Sequence, residues 1–82
     1  MADDLGGQVV EIIARYVKRS PEGISLETTF DELGMTSLDS LGLVYELEEM
    51  FNVSIPNEDV LGLRNVRQAV EILERLLPEG GA

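Results

Sequence analysis

The sequence predicts an all-α fold, a small four-helix bundle of three longer helices and one short one. Three observations carry this expectation. Apolar residues recur at helical spacing in three stretches, at about residues 5–17, 43–51 and 66–76. Thr36 and Asn65, in front of the last two stretches, are each followed three residues later by Asp39 or Gln68, the spacing of a capping box. No run alternates apolar and polar residues as a half-buried strand would. The 82 residues are expected to make one domain with a small core, ordered over about residues 5–77 and frayed over 78–82.

Leu5, Val9, Ile12, Ile13, Tyr16 and Val17 form the stripe of the first helix. Gly6 and Gly7 weaken its first turn and leave its start open. Pro21 stops it near Arg19, because the residue before a proline avoids helical angles. The connection over about residues 20–35 is longer than the usual loop of about 2–8 residues between bundle helices. Ile24, Leu26, Phe30 and Leu33 are its expected anchors in the core, and the Thr29 and Glu32 pair predicts one helical turn before Gly34.

The second helix begins with Thr36 as N-cap and Ser37 as its first residue, and runs to about Asn52. Leu43, Leu47, Met50 and Phe51 are its expected inner face. Pro56 suits the first position of a short third helix, where its missing N–H costs nothing, and Gly62 closes that helix. Asn65 caps the last helix, whose stripe is Val66, Ala69, Val70, Leu73 and Leu76.

Charge is distributed unevenly. The net charge is −10. Between residues 20 and 63 there is no Lys or Arg, against Glu22, Glu27, Asp31, Glu32, Asp39, Glu46, Glu48, Glu49, Glu58 and Asp59. The two ends are balanced, so the net charge belongs to the middle. A field of one sign costs self-repulsion and steers oppositely charged partners. It repels nucleic acid and anionic lipid, which are therefore not expected partners, and it favours a monomer. No run of about eighteen apolar residues spans a membrane, and an acidic N-terminus is unlike a secretion signal, so a cytoplasmic protein is expected. The chain has no Cys and no His. That excludes a Ser–His or Cys–His dyad and nitrogen or sulfur zinc ligands, and the carboxylates do not have calcium-loop spacing.

Two hydroxyls, Ser37 and Ser40, each precede a leucine. At about 100° per residue, Ser40 projects among Leu43, Leu47 and Phe51 toward the core. Ser37 lies about 60° further round, beside Leu41, Val44 and Glu48, where an attached group reaches solvent. The first-turn N–H groups favour an anion there. The plainer reading is that the hydroxyl serves only the helix start. An enzyme nucleophile is disfavoured, since no base is at hand to activate it. Leu38, Leu41 and Tyr45 lie off the inner face with Asp39, Glu46 and Glu49 alongside, as a docking strip would, or as a strip packed under the long loop with solvating carboxylates would. Gly42, in mid-helix, permits a close approach or has no role.

The run Leu33-Gly34-Met35-Thr36-Ser37-Leu38-Asp39, then Leu43, Leu47-Glu48-Glu49, Phe51 and Ile55-Pro56, resembles the attachment segment of acyl carrier proteins. The match continues to Val66 and covers nearly the whole chain. The resemblance implies an acyl-carrier four-helix fold and no catalysis by the chain itself. It implies that Ser37 is esterified by 4′-phosphopantetheine from coenzyme A. It also implies docking of the second helix, through Leu38, Asp39, Leu41, Tyr45, Glu46, Glu48 and Glu49, on basic patches of a phosphopantetheinyl transferase, acyltransferases and ketosynthases. Ile55 and Leu63 match apolar positions near the family's acyl-binding cleft. Thr36 stands where the family usually has Asp, and Gly42 where it commonly has Glu. The expected role is a freestanding carrier for fatty acid or polyketide assembly. The alternatives are an aminoacyl or peptidyl carrier of nonribosomal synthesis, and a helical adaptor that binds a basic partner without a prosthetic group.

Overall fold

A computed structural model of the chain describes residues 4–77, and the expected frayed tail lies outside the described residues. The helices are α1 (Leu5–Val17), α2 (Ser37–Phe51), α3 (Asn57–Leu61) and α4 (Val66–Leu76). Among the described residues there is no strand, as expected, but one isolated antiparallel bridge joins Thr29 to Asn65.

The start of α1, open in the sequence, is set by Asp4, whose carboxylate accepts from the Gly7 N–H at 3.2 Å. Its end comes at Val17, ahead of the expected Arg19. Lys18 adopts the left-handed conformation (φ 60°), and Lys18 and Arg19 return their N–H groups to Arg15 and Ala14. That reversal satisfies the last carbonyls and stops the helix before Pro21 can. Pro21–Gly23 forms one unpredicted turn of 3-10 helix.

α1 packs on both α2 and α4. Val9, Ile13, Leu43, Leu47, Val66 and Leu73 are fully buried between them. The anchors expected in the long connection hold, with Ile24, Phe30 and Leu33 buried and Leu26 packed against the core. The Thr29 and Glu32 box forms in both directions. It closes successive four-residue turns and not an α-helical turn: the Leu33 N–H reaches the Phe30 carbonyl and the Gly34 N–H that of Asp31. Gly34, at φ 74°, reverses the chain there, a conformation that favours glycine.

The inner arc of α2 is wider than expected on one side. Val44, placed beside Ser37 by the sequence, is buried in the same core cluster as Leu43 and Leu47, so that flank of α2 faces the core as well. Met50, expected inside, is 54 % exposed. It lies at the α1-facing edge, beside Gln8, Glu11 and Arg15, where the last turn of α2 passes the polar side of α1. In α4 the stripe holds and is joined by buried Ile72. Pro56 stands one position earlier than expected. It is the extended N-cap of α3, and its carbonyl receives the Asp59 and Val60 N–H groups. α3 buries no residue fully and is tied to α4 by the Arg75–Asp59 ion pair at 2.8 Å.

Gly42 has a packing reason. A β-carbon there would land on the Tyr16 phenol oxygen and stand 3.2 Å from Tyr16 Cζ. Tyr16, expected in the core stripe, is instead part-exposed and lies across α2 at this gap. An ordinary mid-helix Gly→Ala change stabilises by about 1 kcal/mol. Gly42→Ala is expected to give no such gain, because the new methyl displaces Tyr16. In a Tyr16→Ala background the same change recovers about 1 kcal/mol. Urea denaturation of both single variants and the double variant measures this coupling.

Candidate functional site

The two capping boxes that are alike in sequence differ in their surroundings. In α4, the Asn65 and Gln68 box forms, and the Val66 and Arg67 N–H groups are then taken by the Thr28 and Leu26 carbonyls at 3.0 and 2.9 Å. The start of α4 is thus fully satisfied. In α2, Thr36 Oγ1 accepts from the Asp39 N–H at 3.2 Å and Asp39 Oδ2 from the Thr36 N–H at 3.0 Å. The Ser37 and Leu38 N–H groups have no acceptor among the described residues. Unsatisfied donors at the positive end of a helix favour an anion.

Ser37 is the first residue of α2 and is exposed, and its hydroxyl has no hydrogen-bond partner among the described residues. Ser40, one turn on, is half-buried above the inner arc. Both border a cleft of about 430 Å³. Its other walls are Thr29, Phe30 and Asp31 from the long connection, Met35 and Thr36 before α2, and Leu63 and Arg64 before α4. Leu63 thus stands where the resemblance places it, whereas Ile55 is buried in the core and does not border this cleft. A chain leaving Ser37 Oγ meets solvent on one side and a mixed polar and apolar groove on the other. An exposed hydroxyl, two free N–H donors beside it and room for an extended group fit attachment of a phosphodiester-linked arm.

The docking residues separate into two groups. Leu38 is 79 % and Tyr45 61 % exposed, so the strip does not pack under the long loop. Glu46 and Glu49 are exposed beside them, while Leu41 is half-buried. Asp39 is half-buried and holds the capping box, and Glu48 Oε2 accepts from the Ile55 N–H at 2.7 Å. Both carboxylates therefore have a structural task alongside any surface role. Arg64 was not among the site residues read from the sequence. The available signal was its place as the first cation after the acidic stretch. No group of three or more His, Cys, Asp or Glu side chains suited to a metal occurs among the described residues, and none of their helices is long and apolar enough to cross a membrane.

Residues 7–73 match the family model described as the phosphopantetheine attachment site. Acyl carrier protein of Amoebophilus asiaticus is 34 % identical over 77 residues, covering 93 % of this chain and 96 % of that one. Acyl carrier protein of Chloroherpeton thalassium is 36 % identical over 72 residues, covering 87 % and 90 %. The crystal structure of an acyl carrier protein from Thermotoga maritima superposes with a TM-score of 0.72 at 31 % identity, covering 83 % of this chain and 80 % of that one. A helical bundle with an open hydroxyl at the start of α2, matched over this length, belongs to the acyl carrier protein family, whose members are carriers bearing covalent phosphopantetheine and working with biosynthetic enzymes.

Proposed function

We propose that this chain is an acyl carrier for fatty acid or polyketide assembly, and that Ser37 is the residue esterified by 4′-phosphopantetheine. The observation that carries the choice of residue is the exposed Ser37 hydroxyl, beside two unsatisfied N–H groups at the mouth of a cleft. The arm supplies a terminal thiol that holds the acyl group as a thioester. The chain's own residues do the rest. Thr36 and Asp39 hold the first turn of α2 in place, the Ser37 and Leu38 N–H groups favour the negative phosphodiester, and Met35 and Leu63 offer apolar wall to the arm. Leu38 and Tyr45 present an apolar strip, with Leu41 partly covered, and Asp39, Glu46, Glu48 and Glu49 border it with negative charge. Such a surface suits brief encounters with basic patches on a phosphopantetheinyl transferase, acyltransferases and ketosynthases. A chain without Cys suits work in the reducing cytoplasm.

The test is loading. Incubation with coenzyme A and a transferase should add one arm to the intact mass, and the loaded protein should then accept malonyl or fatty-acyl groups from acyltransferases. Acceptance of amino acids from amino-acid-activating enzymes alone would replace this pathway class with nonribosomal synthesis. A chain that takes up no arm would favour the helical adaptor.

Steering by charge has its own signature. Association with a basic partner should slow about tenfold or more as NaCl is raised from low strength to 1 M, where the screening length shrinks to about 3 Å. Stopped-flow mixing reads this rate, and a rate insensitive to salt overturns the acidic-docking mechanism.

A further inference from the structure

Resting on the reading of Ser37 as the attachment residue, we propose that Arg64 is a positioning residue for the arm, its guanidinium pairing with the phosphodiester on Ser37. Arg64 is far from Ser37 in sequence, yet both border the same cleft. No other Lys or Arg does. A chain of hydrogen bonds fixes the base of its side chain there. The Arg64 carbonyl accepts from the Phe30 N–H at 2.9 Å, and the Phe30 carbonyl in turn accepts from the Met35 N–H at 3.0 Å, two residues before Ser37. On its other side the Arg64 N–H donates to Gln68 Oε1 at 2.6 Å. The backbone that carries Arg64 is thus locked to the loop that carries the attachment residue.

Its charge is uncommitted. Arg67 pairs with Glu27 and Arg75 with Asp59, whereas Arg64 makes no ion pair with a described residue. Asp31 borders the cleft as well and competes for the guanidinium, but does not hold it. In a protein whose middle is otherwise free of cations, the phosphodiester brings one more negative charge into the acidic field. The open N–H groups of α2 offset part of that repulsion, and a guanidinium from a residue that borders the same cleft offsets more, with a planar fork that matches two phosphate oxygens. The consequence is a tether whose first segment leans toward the cleft, away from the docking strip.

The probe is the arginine Nε–H resonance, followed by proton–nitrogen NMR as the apo protein is converted to holo protein with coenzyme A and a transferase, with intact mass read in parallel. The Arg64 signal should shift on conversion by more than those of Arg15 and Arg19, which lie outside the cleft. That shift should collapse at 1 M NaCl, and Ser37→Ala given the same treatment should keep the apo spectrum. No added mass on the wild-type chain would overturn the carrier reading itself. Added mass with an unmoved Arg64 signal, or with a shift that salt leaves intact, overturns the role of Arg64 alone.

Discussion

Ser37→Ala is expected to abolish addition of the arm completely, while Ser40→Ala still gains it. Intact mass after incubation with coenzyme A and a transferase reads both results. The expectation rests on placement. Ser37 is exposed at the first position of α2, with its hydroxyl unpaired and free N–H donors beside it. Ser40 is half-buried, so a bulky ester there disturbs the packing around it. Neither change should unfold the domain, because the cap of α2 belongs to Thr36 and Asp39 and survives both. Loss of loading therefore reports loss of the acceptor oxygen and not loss of structure, which circular dichroism of each variant verifies. Loading blocked by Ser40→Ala alone would overturn the assignment.

Leu43→Ala is expected to have the largest effect on stability, about 2–5 kcal/mol. Leu43 has no exposed surface and lies in the core cluster with residues of α1 and α4. Removing its side chain forfeits the transfer free energy of the lost methyl and methylene groups and leaves a cavity that the three helices fill only in part. At roughly 0.05–0.15 kcal/mol per residue, a domain of this size has a total stability of only about 4–12 kcal/mol. The variant should therefore be close to unfolding, with Tm lowered by at least about 10 °C. Leu38→Ala supplies the contrast. It changes the same residue type on the same helix, but at 79 % exposure it should alter stability by less than about 0.5 kcal/mol. Its effect should fall on partner binding instead. Urea titrations of the two variants check the pair, and equal midpoints would overturn the burial pattern described for α2.

Most of the fold was legible because periodicity and capping are local. The stripes of α1 and α4, the two capping boxes and the loop anchors Ile24, Phe30 and Leu33 follow from side-chain spacing and from hydrogen bonds that span three residues. The misses share one cause, which is that burial depends on what lies opposite. Val44 is buried in the core cluster and Met50 is bared at the edge where α2 meets Gln8, Glu11 and Arg15 of α1, and neither neighbourhood shows in the spacing of α2 alone. The purpose of Gly42 depends on Tyr16, a residue of another helix that occupies the gap over α2.

By itself the sequence determined the helices, the acidic middle, and the contrast between an exposed Ser37 and a less exposed Ser40, since each depends on residues within a few turns of one another, although Ser40 is only half-buried and borders the same cleft. Tertiary structure alone decided which of two similar helix starts stays open. The carbonyls of Leu26 and Thr28 take up the free donors of α4, while those of Ser37 and Leu38 in α2 have no acceptor among the described residues. It alone also brought Arg64 to the cleft that Ser37 borders. Both outcomes come from the path of the 20–35 connection across the bundle, and hydrogen bonds between segments that far apart leave no periodic trace in the chain.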